Sequence, residues 1–160
     1  MTTKTINCYN FDELSPEIQD RLVCEHRYVH VDYFDWYHSV YDDAKEIGLR
    51  ITAFDLDRQH IEGDLFFDGF DVAQKIILNH GEHCETHKLS VQFLSDYKNL
   101  PDDDDFEYLA NELEEEFLKS LLEEYLVILR HDFEYHTSDE AVLDYLKNSD
   151  CVYDINGNEI

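Results

Sequence analysis

The chain has 160 residues, of which 38 are Asp or Glu and only 12 are Lys or Arg, giving a formal net charge of −26. Nucleic acid and anionic membranes are poor partners for such a chain, because phosphates are bound by clustered Lys and Arg, and basic protein surfaces are the complementary ones. An apolar content of 43%, with 11 Tyr and 10 Phe, supplies a core, so the chain reads as one α+β domain spanning residues 1–160 and not as a disordered acidic tail.

Lys4 to Tyr9 alternates weakly and reads as a short strand. Ser15-Pro16-Glu17 then marks a helix start, with Ser15 as N-cap, Pro16 at the tolerant first position and Glu17 at the positive end of the dipole. That helix runs to about Val29. A second covers Tyr33 to Ile47, with Trp36, Val40, Ala44 and Ile47 facing inward, Tyr33, Tyr37 and Tyr41 beside them, and Gly48 ending it. Leu49–Asp57 and Ile61–Asp68 form a hairpin. Its acids do not follow the ligand spacing of a calcium loop. Asp71 caps a helix to Asn79, His80-Gly81 breaks it, and another helix carries Leu89, Phe93 and Leu94 to Tyr97.

Asn99-Leu100-Pro101 leads into the longest element, an acidic amphipathic helix near 104–131. Phe106, Leu109, Leu113, Phe117, Leu121, Tyr125 and Ile128 recur at steps of three and four and define its buried face. Glu112, Glu115, Glu116 and Glu123 occupy the opposite face, relieved only by Lys119, and Asp102, Asp103, Asp104 and Asp105 precede it. After this helix, Thr137-Ser138-Asp139-Glu140 reads as a capping box opening a short helix. Cys151–Ile155 and Asn158–Ile160 read as a terminal hairpin about Asn156-Gly157, a pair suited to a type I′ turn. The whole is about five helices packed on a small antiparallel sheet. The charge is uneven: residues 1–100 carry 19 acids against 9 bases, residues 101–160 carry 19 against 3.

One constellation carries possible metal chemistry. His80, His83, Cys84 and His87 fall at offsets 0, 3, 4 and 7, one face of a continuous helix, and imidazole and thiolate are zinc ligands. Gly81 interrupts that face, so a small zinc-binding protein is an alternative reading and no metal or cofactor is favoured. Cys84 beside histidines is a nominal nucleophile pair, but acidic surroundings oppose thiolate formation. GxSxG, HExxH and Gly-rich phosphate loops are absent. The chain reads as non-enzymatic. With no leader-like apolar segment and no apolar run near the ~20 residues a bilayer requires, and with four widely spaced cysteines expected as reduced thiols, the expected location is the cytoplasm.

The stretches YNFDELSPEIQDR, DWYHSVYDDAKEIG, FDLDR, HGEHCETHK and TSDEAVLDYLKNSDCVYDINGNEI resemble a family of small, acidic, uncharacterised proteins from bacteriophages and prophages, some bearing an antitoxin label. The resemblance covers most of the chain and implies a phage-type protein acting in the host cell's cytoplasm. It brings no catalytic residue or cofactor.

These readings converge on an acidic inhibitor that mimics nucleic acid and occupies the basic groove of a host nucleic-acid-binding protein, such as a CRISPR or restriction effector. Carboxylates on successive helix turns lie ~5–6 Å apart, comparable to phosphates along a strand. Asp102, Asp103, Asp104, Asp105, Glu112, Glu115, Glu116 and Glu123 are the expected contact residues. The alternative is an antitoxin or assembly partner that binds a protein by shape, with Tyr33, Trp36, Tyr37 and Tyr41 as anchors. Charge crowding also predicts greater thermal stability near pH ~5 than near pH ~8.

Overall fold

A computed structural model describes Thr5 and residues 7–160. The class is α+β, with one two-stranded antiparallel sheet among the described residues and more helical segments than the five or so the sequence pattern predicts. By packing, the residues fall into two compact units. One comprises the described chain up to Trp36 together with Asp132–Ile160, the other Tyr37–His131.

In the first unit, Phe11–Glu13 forms a 3-10 turn in which the Asn10 N–H donates to Glu13 Oε2 at 2.7 Å. Helix α1 (Pro16–Glu25) follows, with Pro16 at its first position. Ser15 makes no side-chain cap bond. Gln19 does the clamping instead, its Nε2 donating to the carbonyls of Phe11 (3.1 Å) and Leu14 (3.0 Å). The helix expected to reach Val29 ends at Glu25, and the chain resumes as the short α2 (Val29–Asp32).

A later helix, Asp139–Asn148 (α7 below), packs on α1. Its cap is Ser138, whose Oγ accepts the Ala141 N–H at 3.3 Å. The capping box expected from Thr137 does not form, because the preceding helix runs on to His136 and Thr137 Oγ1 donates back to the Phe133 carbonyl at 2.9 Å.

The C-terminal turn is also built differently from the type I′ expectation. Gly157 donates to the Asp154 carbonyl (2.9 Å), Asp154 donates to the Asn158 carbonyl (2.8 Å), and Gly157, not Asn156, adopts positive φ. That is a three-residue loop with glycine in the left-handed position. Asp154 accepts from the N–H groups of Asn156 and Asn158, and these bonds, led by the Asn158 side chain, hold its carboxyl below the usual range. Among the described residues, pairing here consists of the bridges Tyr9↔Tyr153 and Tyr153↔Glu159. Lys4 and Ile6 of the expected first strand lie outside the described residues. Phe11, Leu14, Leu22, Val23, Val142, Leu146 and Tyr153 form this unit's core.

In the second unit, α3 (His38–Glu46) begins five residues later than the pattern predicts and ends at Gly48, whose φ is +91°. Strands β1 (Leu49–Asp55) and β2 (His60–Leu65) pair from Leu49↔Leu65 to Asp55↔His60, with a bulge between Ile51 and Ala53. Asp55 Oδ1 accepts the N–H groups of Asp57 and Arg58 and shapes the turn. Helix α4 (Gly69–Asn79) is capped by Asp68, which accepts from Asp71 N–H at 2.9 Å; Asp71, the expected cap, is already inside the first turn. Helix α5 (Glu85–Lys98) packs on α4.

Helix α6 spans Phe106–His136, 31 residues, and contributes residues 106–131 to this unit. It starts two residues later and ends five residues later than the range near 104–131. Asp104 and Asp105 belong to the turn before it, and nothing from His131 to His136 breaks the helical pattern. Phe117, Leu121, Tyr125 and Leu129 are its buried residues, so the buried face closes on Leu129 where the periodicity suggested Ile128. Phe93 stacks on Phe117 at 4.4 Å between centroids, and Val40, Ala44, Ile47, Leu49, Val72, Ala73 and Ile76 complete the core.

Candidate functional site

The acidic run and the outer face of α6 lie within the second unit. Asp102, Asp103, Asp104 and Asp105 are all exposed. Asp103 Oδ1 accepts the Asp105 N–H at 3.0 Å, and the Asp103 carbonyl accepts from Phe106. This turn delivers carboxylates to the N-terminus of α6, where the helix dipole favours negative charge.

Along the helix, Glu112, Glu115, Glu116 and Glu123 are exposed. Spacings of four and seven put Glu112, Glu116 and Glu123 on one stripe, with Glu115 a little to one side. Lys119 occupies the same stripe and divides it into a block before and a block after. Among the described residues, none of these eight carboxylates forms an ion pair. Glu112 accepts a hydrogen bond from the Tyr108 hydroxyl at 2.6 Å, which pushes the phenol pKa up.

Glu114, on the same helix, is not part of this surface. It is half-buried, and its Oε2 accepts the Gly69 N–H at 2.6 Å, satisfying a donor at the start of α4. A Cβ at Gly69 would meet Phe93 Cζ at 2.9 Å and Glu114 Cγ at 3.0 Å, so that close approach needs glycine.

The four candidate metal ligands do not converge. The break expected at His80-Gly81 is present: both residues lie between α4 and α5, and Cys84 is only the N-cap of α5. His83 is 96% exposed and Cys84 is exposed, while His80 turns inward. His87 Nδ1 bonds the His80 carbonyl at 2.9 Å. No group of three or more metal-ligating residues forms among the described residues.

His80 instead joins a partly buried polar network that sequence spacing does not reveal. Its Nδ1 is 2.7 Å from Thr86 Oγ1, and its Nε2 is 3.3 Å from Asp43 Oδ1, a close contact without full hydrogen-bond alignment. The Tyr125 hydroxyl donates to Asp43 Oδ2 at 2.7 Å. The His80 imidazole first, and the Tyr125 hydroxyl with it, hold the Asp43 carboxyl below the usual range against the opposing effect of burial. Burial, and then Asp43, push the Tyr125 phenol up. Carboxylate, imidazole and hydroxyl in line resemble a nucleophile-activating arrangement. Thr86 is only 2% exposed, so its hydroxyl meets no substrate, and the network acts as a brace linking α3, α5 and α6.

The aromatic anchors of the alternative reading separate. In the first unit Tyr33 is 80% exposed and the neighbouring Phe34 59%, whereas Trp36 packs edge-on against Phe133 at 5.6 Å. In the second unit Tyr37 and Tyr41 pack on each other and on Phe54. The first unit also holds an open hollow of about 830 Å³ bordered by His30, His136, Glu140, Asp144 and Lys147. Its mixed charges select no single ligand chemistry. Among the described residues no helix is long and apolar enough to cross a membrane. No protein-family model, curated protein or solved structure matches this chain.

Proposed function

We propose that this chain is a non-enzymatic, phage-type acidic protein that binds and inhibits a basic, nucleic-acid-binding host protein, such as a CRISPR or restriction effector, by presenting carboxylates where that protein expects phosphates. One observation carries the reading: Asp102 to Asp105 with Glu112, Glu115, Glu116 and Glu123 are exposed on one turn and helix, and none forms an ion pair among the described residues. The chain's cations pair with acids elsewhere, Arg27 with Asp139, Arg50 with Asp64 and Lys88 with Glu85, which leaves this run uncompensated, and crowded like charge gains by meeting a basic surface. Lys119 splits the stripe, so the match to a phosphate strand is in two segments, with Asp102–Glu116 the denser one.

The test is binding to a purified candidate effector across a salt series. A charge-driven complex weakens steeply between ~0.05 and ~0.5 M salt, and replacement of the eight acids by Asn and Gln abolishes it. Affinity that is unchanged at ~0.5 M salt overturns the reading.

A second reading, an antitoxin or assembly partner held by shape, is favoured by one feature: Tyr28, Tyr33 and Phe34 are exposed within seven residues of each other. Large exposed aromatics are the usual interface anchors. Under this reading Tyr33→Ala with Phe34→Ala removes binding at any salt concentration, whereas the charge substitutions leave it intact.

A further inference from the structure

The side of α6 next to the hairpin is not uniformly charged. Two adjoining hollows lie between β2 and α6, of about 330 and 300 Å³. The first is floored by Ile61, Leu118, Leu122 and Leu126, the second by Leu65, Phe67 and Leu118. Glu115 and Leu118 border both, so the hollows form one trough. A Cβ at Gly63 would sit 2.9 Å from Leu122 Cδ2, so glycine lets helix and strand approach here. The α6 residues bordering the two hollows are centred about six positions apart, ~9 Å along the axis.

The free acids at the trough are Glu115 and Glu123, since Glu114 is held by the Gly69 N–H; the cations are Lys119, Lys75 beside Phe67, and a His60 ring that bonds Glu62 at 2.7 Å. Lys75 Nζ rests 4.2 Å from the centroid of the Phe67 ring, so that aromatic already accepts a cation on its face. An apolar floor edged by the free carboxylates Glu115 and Glu123, on a chain of net charge −26, fits a segment that is apolar on one side and basic where it meets those two acids.

We infer that this trough is the docking groove for a basic amphipathic helix of the target protein. Two apolar side chains about two turns apart fill the two hollows, and flanking Lys or Arg meet Glu115 and Glu123. This rests on the proposal that the target is basic, and adds that charge alone does not define it: the target carries apolar anchors beside its basic residues.

The experiment uses two labelled synthetic helical peptides of equal charge, rich in Lys and Ala. One has Leu at i and i+7 on a single face; the other has Ala at both positions. Binding is followed by fluorescence anisotropy at ~0.15 M NaCl. The Leu peptide binds the full chain at least ~10-fold more tightly, the scale expected for partly burying two leucine side chains. Leu118→Gln with Leu126→Gln removes the preference, and Leu78→Gln, at an exposed leucine on α4, keeps it. Because Leu118 and Leu126 are half-buried, amide exchange on the unsubstituted protein gives an independent reading, with slowing on peptide binding at residues 59–61 and 115–126. Equal affinity for both peptides overturns the trough and leaves the charge-based reading standing. Failure of both peptides to bind even at ~0.02 M NaCl overturns the two together. Self-association that protects the same residues assigns the trough to a second copy of this chain and also overturns the inference.

Discussion

Replacing Tyr125 by Phe removes one oxygen from the core and tests the brace directly. Tyr125 is fully buried and its hydroxyl donates to Asp43 Oδ2 at 2.7 Å. A hydrogen bond to a charged group contributes ~1.5–3 kcal/mol net. The Asp43 side chain is 48% exposed, so water can take the place of the lost hydroxyl, and the expected loss falls to about 1 kcal/mol. The aromatic ring and its packing are unchanged, which separates this from a cavity effect.

The assay is urea unfolding at pH 7 with a parallel carboxyl titration by NMR. Asp43 is held below the ordinary aspartate range in the folded protein, so its contribution is complete above about pH 4 and is lost as pH falls through the depressed folded value. In the Phe variant the Asp43 carboxyl therefore titrates closer to an ordinary aspartate, and the stability gap between the two proteins narrows as pH falls through the depressed folded value. A loss below ~0.3 kcal/mol together with an unmoved Asp43 titration would refute the brace, because a bond to that charge has to appear in both measurements.

Leu121→Ala, at a position with no exposed surface, is expected to cost ~2–5 kcal/mol by urea unfolding, the range for opening a cavity in a packed core; a cost under ~1 kcal/mol would place Leu121 outside the core. Gly63→Ala puts a Cβ 2.4 Å from the Arg50 carbonyl oxygen and 2.9 Å from Leu122, so it should lower stability by ~1–3 kcal/mol, and a neutral result would mean the hairpin and α6 do not approach this closely. The melting temperature at pH ~8 should rise as NaCl increases from ~0.02 to ~0.3 M, because screening relieves the self-repulsion of a chain at −26. A flat curve across that salt series would show that the acids are too dispersed to repel one another.

The sequence by itself determined the features that depend on neighbours a few residues apart. The three-and-four spacing through Phe117, Leu121 and Tyr125 established the long helix and its buried face. The paired strand patterns around residues 49–65 gave the hairpin, Gly48 ended α3, and Glu112, Glu115, Glu116 and Glu123 were legible as an exposed face because a helix projects its side chains at fixed angles. Element ends were less legible. Ser138 and not Thr137 caps α7, and Asp68 and not Asp71 caps α4, because competing caps one to three residues apart differ by less than the packing that selects between them.

What only the tertiary structure decided are the partners distant in sequence. Glu114 looks like another member of the acidic ridge, yet it bonds Gly69, 45 residues away. Tyr125 meets Asp43 across 82 residues, and His80 turns from a candidate zinc ligand into part of that network. The apolar trough beside the ridge likewise exists only because β2 and α6 come together at Gly63. Local periodicity fixes which face of a helix is buried, but which polar groups meet there, and where two elements leave a hollow between them, follows from packing that no short window of sequence contains.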